Sequence, residues 1–296
     1  MAWTKGKKAA VAVAVVFGVV AVAVLLAFPR NRNKLVRVVT GKPMGLNNTF
    51  NRVVEDADHK AENARLRSQV WPKEKQLMQE KIKARQAVDE TAGATTIDLK
   101  HYTNAALTDA PVCWAGNNAN NLAELPQGKN IYGGVPFDVE GAIYLTGGWL
   151  KDHYHKDYPV RVDDIRIDRR CSRIHLLHGG ALIAFNQLNQ AIAKLVLHYE
   201  DGSSEELPII VGKHLWDSWA PLFSTGVNPL NLKTPPGAEP AWVGSNAHLR
   251  KYQPDESFVL YKASFDNPKP NLTVTSLDYV STETQTVPFM VGLTVE

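Results

Sequence analysis

The sequence predicts a mainly β chain, an antiparallel β-sandwich preceded by an N-terminal transmembrane helix and a short helical stalk. Three observations point to it. Ala9 to Phe28 is a run of twenty residues with no charged or hydrogen-bonding side chain. Residues 52–90 are rich in charge, Ala, Gln and Leu and contain no Gly. From Thr95 onward, short runs of Val, Ile, Leu and aromatic residues recur between Gly, Pro, Asn and Asp. The expected divisions are a tail at 1–8, a membrane helix at 9–29, a juxtamembrane linker at 30–51, a stalk at 52–94 and the sandwich at 95–296.

The apolar run sits between two basic clusters. At a rise of about 1.5 Å per residue, twenty residues span roughly the 30 Å hydrocarbon core of a bilayer. In lipid only a helix satisfies such a backbone, so its many valines do not count against one. A cleaved secretory signal is the rival reading. Its apolar core would be unusually long, and Leu25-Leu26-Ala27 lacks the small residue wanted three positions before a cleavage point. The flanks carry similar positive charge, Lys5, Lys7 and Lys8 before the run and Arg30, Arg32, Lys34 and Arg37 after it, so they do not decide orientation. A short N-terminal tail suits a cytoplasmic start, with the bulk of the chain outside the cytoplasm. The net charge of +3 is therefore a local property. Residues 1–37 hold seven basic residues and no acid, which leaves 26 basic against 30 acidic residues beyond them. Nucleic acid is not an expected partner.

In the stalk, Val53, Ala57, Ala61 and Ala64 recur at helical spacing, and Leu77, Ala84 and Val88 resume it after Trp71-Pro72, where proline is expected to end or kink the helix. The stalk reads as a solvated spacer or as a site of self-association. Beyond Thr95, short apolar runs predict strands over 137–145 and 160–167, which alternate, the second with a slip at Asp163-Asp164, and over 173–178, 193–200, 205–211, 258–265, 272–280 and 289–295. Asp201-Gly202 marks a hairpin turn. The last strand is expected inside a sheet.

The strings Asn120–Gly128, Gly134–Gly141, Cys171–His178, His198–Gly202, Leu207–Gly212, Trp242–Asn246, Leu260–Pro268 and Ser276–Ser281 together resemble a galactose-binding-like jelly-roll module of membrane-anchored and secreted bacterial proteins. The resemblance covers about residues 95–296 and implies the fold more strongly than any ligand; such modules are generally non-catalytic.

Sugar recognition needs flat apolar rings beside groups that pair with hydroxyls. The candidates are Trp216 and Trp219 with Asp217 between them, Trp242 with Asn246, and Trp114 with Asn121. Each Trp is also an ordinary core residue for a sandwich. His153 with His155, and His175 with His178, invite a metal reading, but the first pair lies in a charged stretch and the second is three apart on a strand, facing opposite ways. No metal is therefore expected. Calcium is common in jelly-roll sugar binders as a structural ion, and Asp138, Glu140, Asp163 and Asp164 could contribute to one, yet no loop has the carboxylate density of a recognisable site. No cofactor is expected. Nucleophile-elbow, zinc-hydrolase, phosphate-loop and dinucleotide motifs are absent from the sequence, so the chain is not expected to be an enzyme. Two functions remain: a membrane-anchored binding module for envelope glycan, or a structural subunit whose sandwich contacts envelope proteins or a second copy. Cys113 and Cys171 are read either as a disulfide or as two free thiols.

Overall fold

In a computed structural model, the described residues are 13–16, 19–22, 62, 64–86, 91, 93–109, 120–154, 158–183, 185–220 and 234–296. The chain divides into two compact units, Met1–Val54 and Glu55–Glu296. In the first, β1 (Val13–Val16) and β2 (Val19–Val22) pair antiparallel, Val16 opposite Val19. These strands stand inside the run expected as a helix. Valine, branched at Cβ, favours the extended backbone wherever lipid does not force a helix. The rest of the run lies outside the described residues, and among the described residues no helix is long and apolar enough to cross a membrane.

The second unit opens with a π-helical turn, Leu66–Val70, leading into α1 (Trp71–Gln86). Pro72 does not end the helical run, which passes from the π-helical turn into α1 without leaving helical backbone. The run changes type beside the proline, where the Trp71 amide still bonds the Leu66 carbonyl and Pro72 has no amide hydrogen to donate. The buried stripe is Trp71, Met78 and Ile82. Spacings of seven and four place these three within a narrow arc, whereas Leu77, expected on the apolar face, lies about 100° away and is 48% exposed. Trp71 and Met78 join the principal core, and Arg85 pairs with Glu239. The stalk is thus docked on the β-domain and is not a free spacer.

The short strand β3 (Thr95–Thr96) follows, then the hairpin β4 (Gly128–Tyr132) and β5 (Val135–Val139), β6 (Ile143–Tyr144) and the helix α2 (Gly148–Tyr154). Next come β7 (Arg161–Arg169), β8 (Arg173–Ala181), β9 (Ala191–Tyr199), β10 (Ser204–Ile210) and β11 (Trp219–Ala220). The remainder is β12 (Ala238–Gly244), α3 (Ala247–Tyr252), β13 (Ser257–Asp266), β14 (Val274–Ser281) and β15 (Val287–Val295).

These strands form antiparallel sheets that curl towards a half-barrel. One sheet has the order β10-β9-β14-β7. The larger runs β11-β13-β8-β15-β3, with β12 added to β13 and β6 to β15. The β9–β10 hairpin turns at Gly202, whose φ of +80° suits glycine. The expected slip in β7 is real: Asp164 has φ +55°, and Ile165 and Ile167 point inward beyond it, while Val160 stays outside the strand and is 41% exposed. The last strand is interior, as expected, lying between β8 and β3 with all nine residues buried. In this unit the sequence reading missed β3, β4, β11 and β12.

Alternation along β8, β13 and β15 feeds two cores. Ile174, Leu176, Val259, Tyr261, Met290 and Leu293 face the smaller sheet, meeting Ile165, Leu195, Leu197 and Leu277. Leu177, Leu260, Phe289 and Val291 face the other way, under Leu122, Tyr132, Phe137, Leu150 and Leu249 from the β4–β5 hairpin, its flanks and the helices. The central sheet is therefore covered on both faces, which is why its strands read as continuous apolar runs. Close backbone approach fixes one glycine within this cover. A Cβ on Gly147 would land on the carbonyl of Thr286. Gly147→Ala is expected to cost about 1–3 kcal/mol, read as a lower urea midpoint for the full chain.

Candidate functional site

The aromatic and amide residues nominated from the sequence lie mainly inside. Trp216 is 6% exposed in the principal core. Trp219 and Trp242, at 9% and 8%, belong to the second core, Trp219 tilted against Phe258 at 5.4 Å between centroids. The Trp242 ring fills the space where a side chain at position 244 would stand, and Gly244 leaves it free. Trp114 and Cys113 lie outside the described residues. Cys171 is a buried free thiol, and burial pushes its ionisation up.

Asp217 works as a backbone clamp. Its carboxylate accepts N–H bonds from Ile183 at 2.7 Å and Trp219 at 2.8 Å, and a further backbone bond from Leu182, which sits at φ +65°. It thereby holds a strained turn at the end of β8. Burial drives the Asp217 carboxyl up to about 7, against the pull of these donors and with a further push from Glu256. Ser218 continues the clamp: its hydroxyl accepts from the Gly180 amide at 3.1 Å, and its backbone bonds Gly180 and Val259. Nearby, His178 Nε2 faces the His214 carbonyl at 3.1 Å; burial holds His178 down to about 3 and His214 to about 4.

Asn246 and Asn121, nominated separately beside Trp242 and Trp114, meet one another. Asn246 caps α3 by accepting from the Leu249 amide at 2.8 Å, and its Nδ2 donates to Asn120 Oδ1 at 3.1 Å and to the Asn121 carbonyl at 3.0 Å. Asn121 in turn donates to the Thr108 carbonyl at 2.9 Å. The cluster ties the chain before the β4–β5 hairpin to α3, next to Trp242. His175 is likewise occupied, between Ser264 at 2.8 Å and Glu296 at 3.1 Å. His153 and His155 fall outside the described side chains. Among the described residues no group of three or more His, Cys, Asp or Glu side chains is placed to hold a metal.

The sequence reading missed a cluster on the outer face of the smaller sheet. Asp278, only 3% exposed, faces His198 Nε2 at 2.8 Å, the Arg161 guanidinium at 2.7 Å and the Asp164 amide at 3.0 Å. Ser276 is the register partner of His198, and its hydroxyl reaches towards Asp164 at 3.5 Å. The cluster ties three strands together, β14 to β9 and β7. A polar residue at every second position is ordinary on the open face of an antiparallel sheet, so nothing in the sequence set His198 and Asp278 apart. Asp278→Ala leaves three donors without their acceptor, and should destabilise the chain by about 1–3 kcal/mol in urea titration.

No family model matches the chain, and no curated protein or solved structure matches it.

Proposed function

We propose that this chain is a single-pass, membrane-anchored, non-catalytic module. In this reading residues 9–29 cross the bilayer as a helix, and a galactose-binding-like jelly-roll sandwich, held outside the cytoplasm, acts as a structural or assembly subunit through contacts with other envelope proteins. The observation that carries it is the burial of Trp71, Trp216, Trp219 and Trp242. Among the described side chains no tryptophan offers the open ring face that stacking on a pyranose requires. Moreover, the apolar stripe of α1 is occupied by its own domain, so contacts with a partner or a second copy would be made by the exposed surface.

Glycan recognition keeps one foothold. Tyr252 is 59% exposed at the end of α3, its ring 5.1 Å from that of His248, on the helix that Asn246 caps. Extraction of the full chain in mild detergent, followed by mass measurement and identification of co-purifying chains, tests the proposal. A discrete assembly of defined composition is the expected result. A lone monomer that binds polysaccharide, and loses that binding in Tyr252→Ala, would replace assembly with glycan recognition.

A further inference from the structure

Charge is distributed unevenly over the second unit. Residues 62–86 hold seven basic and three acidic residues, whereas residues 87–296 hold 16 basic and 24 acidic. The helical segment is thus net +4, against −8 for the β-domain it is docked on. Some of its charge is used locally. Arg65 pairs with Glu62, Arg85 with Glu239, and Gln76 donates to Glu80. By contrast, Lys73, Lys81 and Lys83 are exposed and make no ion pair among the described residues.

Helical geometry places these three with Leu77. At 100° per residue, Lys73, Leu77 and Lys81 fall within about 80° of one another, and Lys83 borders the same side about 80° from Lys73 in the other direction. All of them point away from the stripe of Trp71, Met78 and Ile82 that is sunk in the domain. The result is an exposed face of three lysines around a half-exposed leucine, with exposed Glu80 about 20° from Lys73 as the one acid among them, so that the face carries a net charge of +2, close in sequence to an apolar run of bilayer length.

We infer that this face of α1 seats the domain on an anionic lipid surface. The inference rests on the anchor proposed above, since the anchor brings the helix to the bilayer. The long aliphatic stems of lysine and the Leu77 side chain suit the headgroup region. Each ammonium near an anionic leaflet contributes about 1 kcal/mol, which falls off within a Debye length. The acidic remainder of the domain is repelled from the same surface. Orientation follows: the α1 side faces the bilayer, and the opposite side faces away.

The test uses the full chain reconstituted in vesicles of neutral phosphatidylcholine, or of the same lipid with phosphatidylglycerol, and reads lysine acetylation by mass spectrometry. At low salt, Lys73, Lys81 and Lys83 are expected to react on the order of fivefold more slowly in the anionic vesicles, with exposed Lys213 and Lys251 unchanged as internal references. The difference should vanish in about 1 M NaCl, where the Debye length is about 3 Å. Equal rates in the two vesicles would overturn the inference, as would protection that persists in high salt. Protection obtained with added nucleic acid or acidic protein but with neither vesicle would also overturn it. Retention through an alkaline carbonate wash tests the anchor separately; release of the chain there would remove the anchor and this inference with it, whereas equal acetylation in retained protein would remove only the lipid seat.

Discussion

Replacing Trp216, Trp219 or Trp242 with Ala is expected to lower the stability of the full chain by about 3–5 kcal/mol in each case. The reason is interior packing. Trp216 fills the principal core beside Gly212, where even a methyl group would meet the indole at 3.0 Å. Trp219 and Trp242 line the second core with Phe258, Leu260 and Phe289. Each truncation removes a large buried ring and leaves a cavity that close-packed neighbours fill only in part. A surface platform for sugar would respond oppositely, losing ligand while unfolding at the wild-type urea concentration. Equilibrium urea curves for the three variants distinguish the two cases, and Trp→Phe at the same sites should recover part of the loss.

The second large effect is on pH dependence. His178 and His214 are held neutral by burial, at about 3 and about 4. An unfolded chain binds protons at these sites near the ordinary histidine value of about 6.5, so the native state loses stability as pH falls below that value. Between pH 7.5 and 5 the pair costs about 4 kcal/mol, and His175, also lowered, acts in the same direction. Asp217 works against them. Its folded value, up to about 7, lies above its unfolded value, so it adds stability as pH falls from about 7 towards 4, roughly 2–3 kcal/mol by pH 5. The wild-type chain should therefore lose only about 1–2 kcal/mol between pH 7.5 and 5, whereas Asp217→Asn, without the opposing group, should lose about 4 kcal/mol over the same interval. Urea midpoints at the two pH values provide the measurement. A variant as insensitive to pH as the wild type would contradict this assignment of charges.

The class of fold was legible because short apolar runs, some of them alternating, recur between turn residues. The β9–β10 hairpin and the slip at Asp164 follow from local pattern. Two kinds of feature were not legible. The docking of α1 depends on Trp71, Met78 and Ile82 meeting the sheet, and in a helix so rich in charge three buried residues do not stand out from Leu77 and Ala84. The second is the use of polar side chains. Trp-Asp-Ser-Trp and Trp-Val-Gly-Ser-Asn look like binding loops, because ligand sites and backbone clamps draw on the same residues; only tertiary contact shows Asp217 holding Leu182 and Ile183, and Asn246 holding α3 and Asn121. His198 and Asp278 illustrate the converse, a three-strand tie assembled from residues distant in sequence.

Hydroxyl-radical footprinting of the full chain, resolved residue by residue, should find Trp71, Trp216, Trp219 and Trp242 at least about tenfold less reactive than Tyr252, since buried rings in a close-packed interior are shielded from solvent. If Trp216, Trp219 or Trp242 reacts as fast as Tyr252, that ring is presented to solvent. The interior assignment would then fail, and an aromatic binding face would stand in its place.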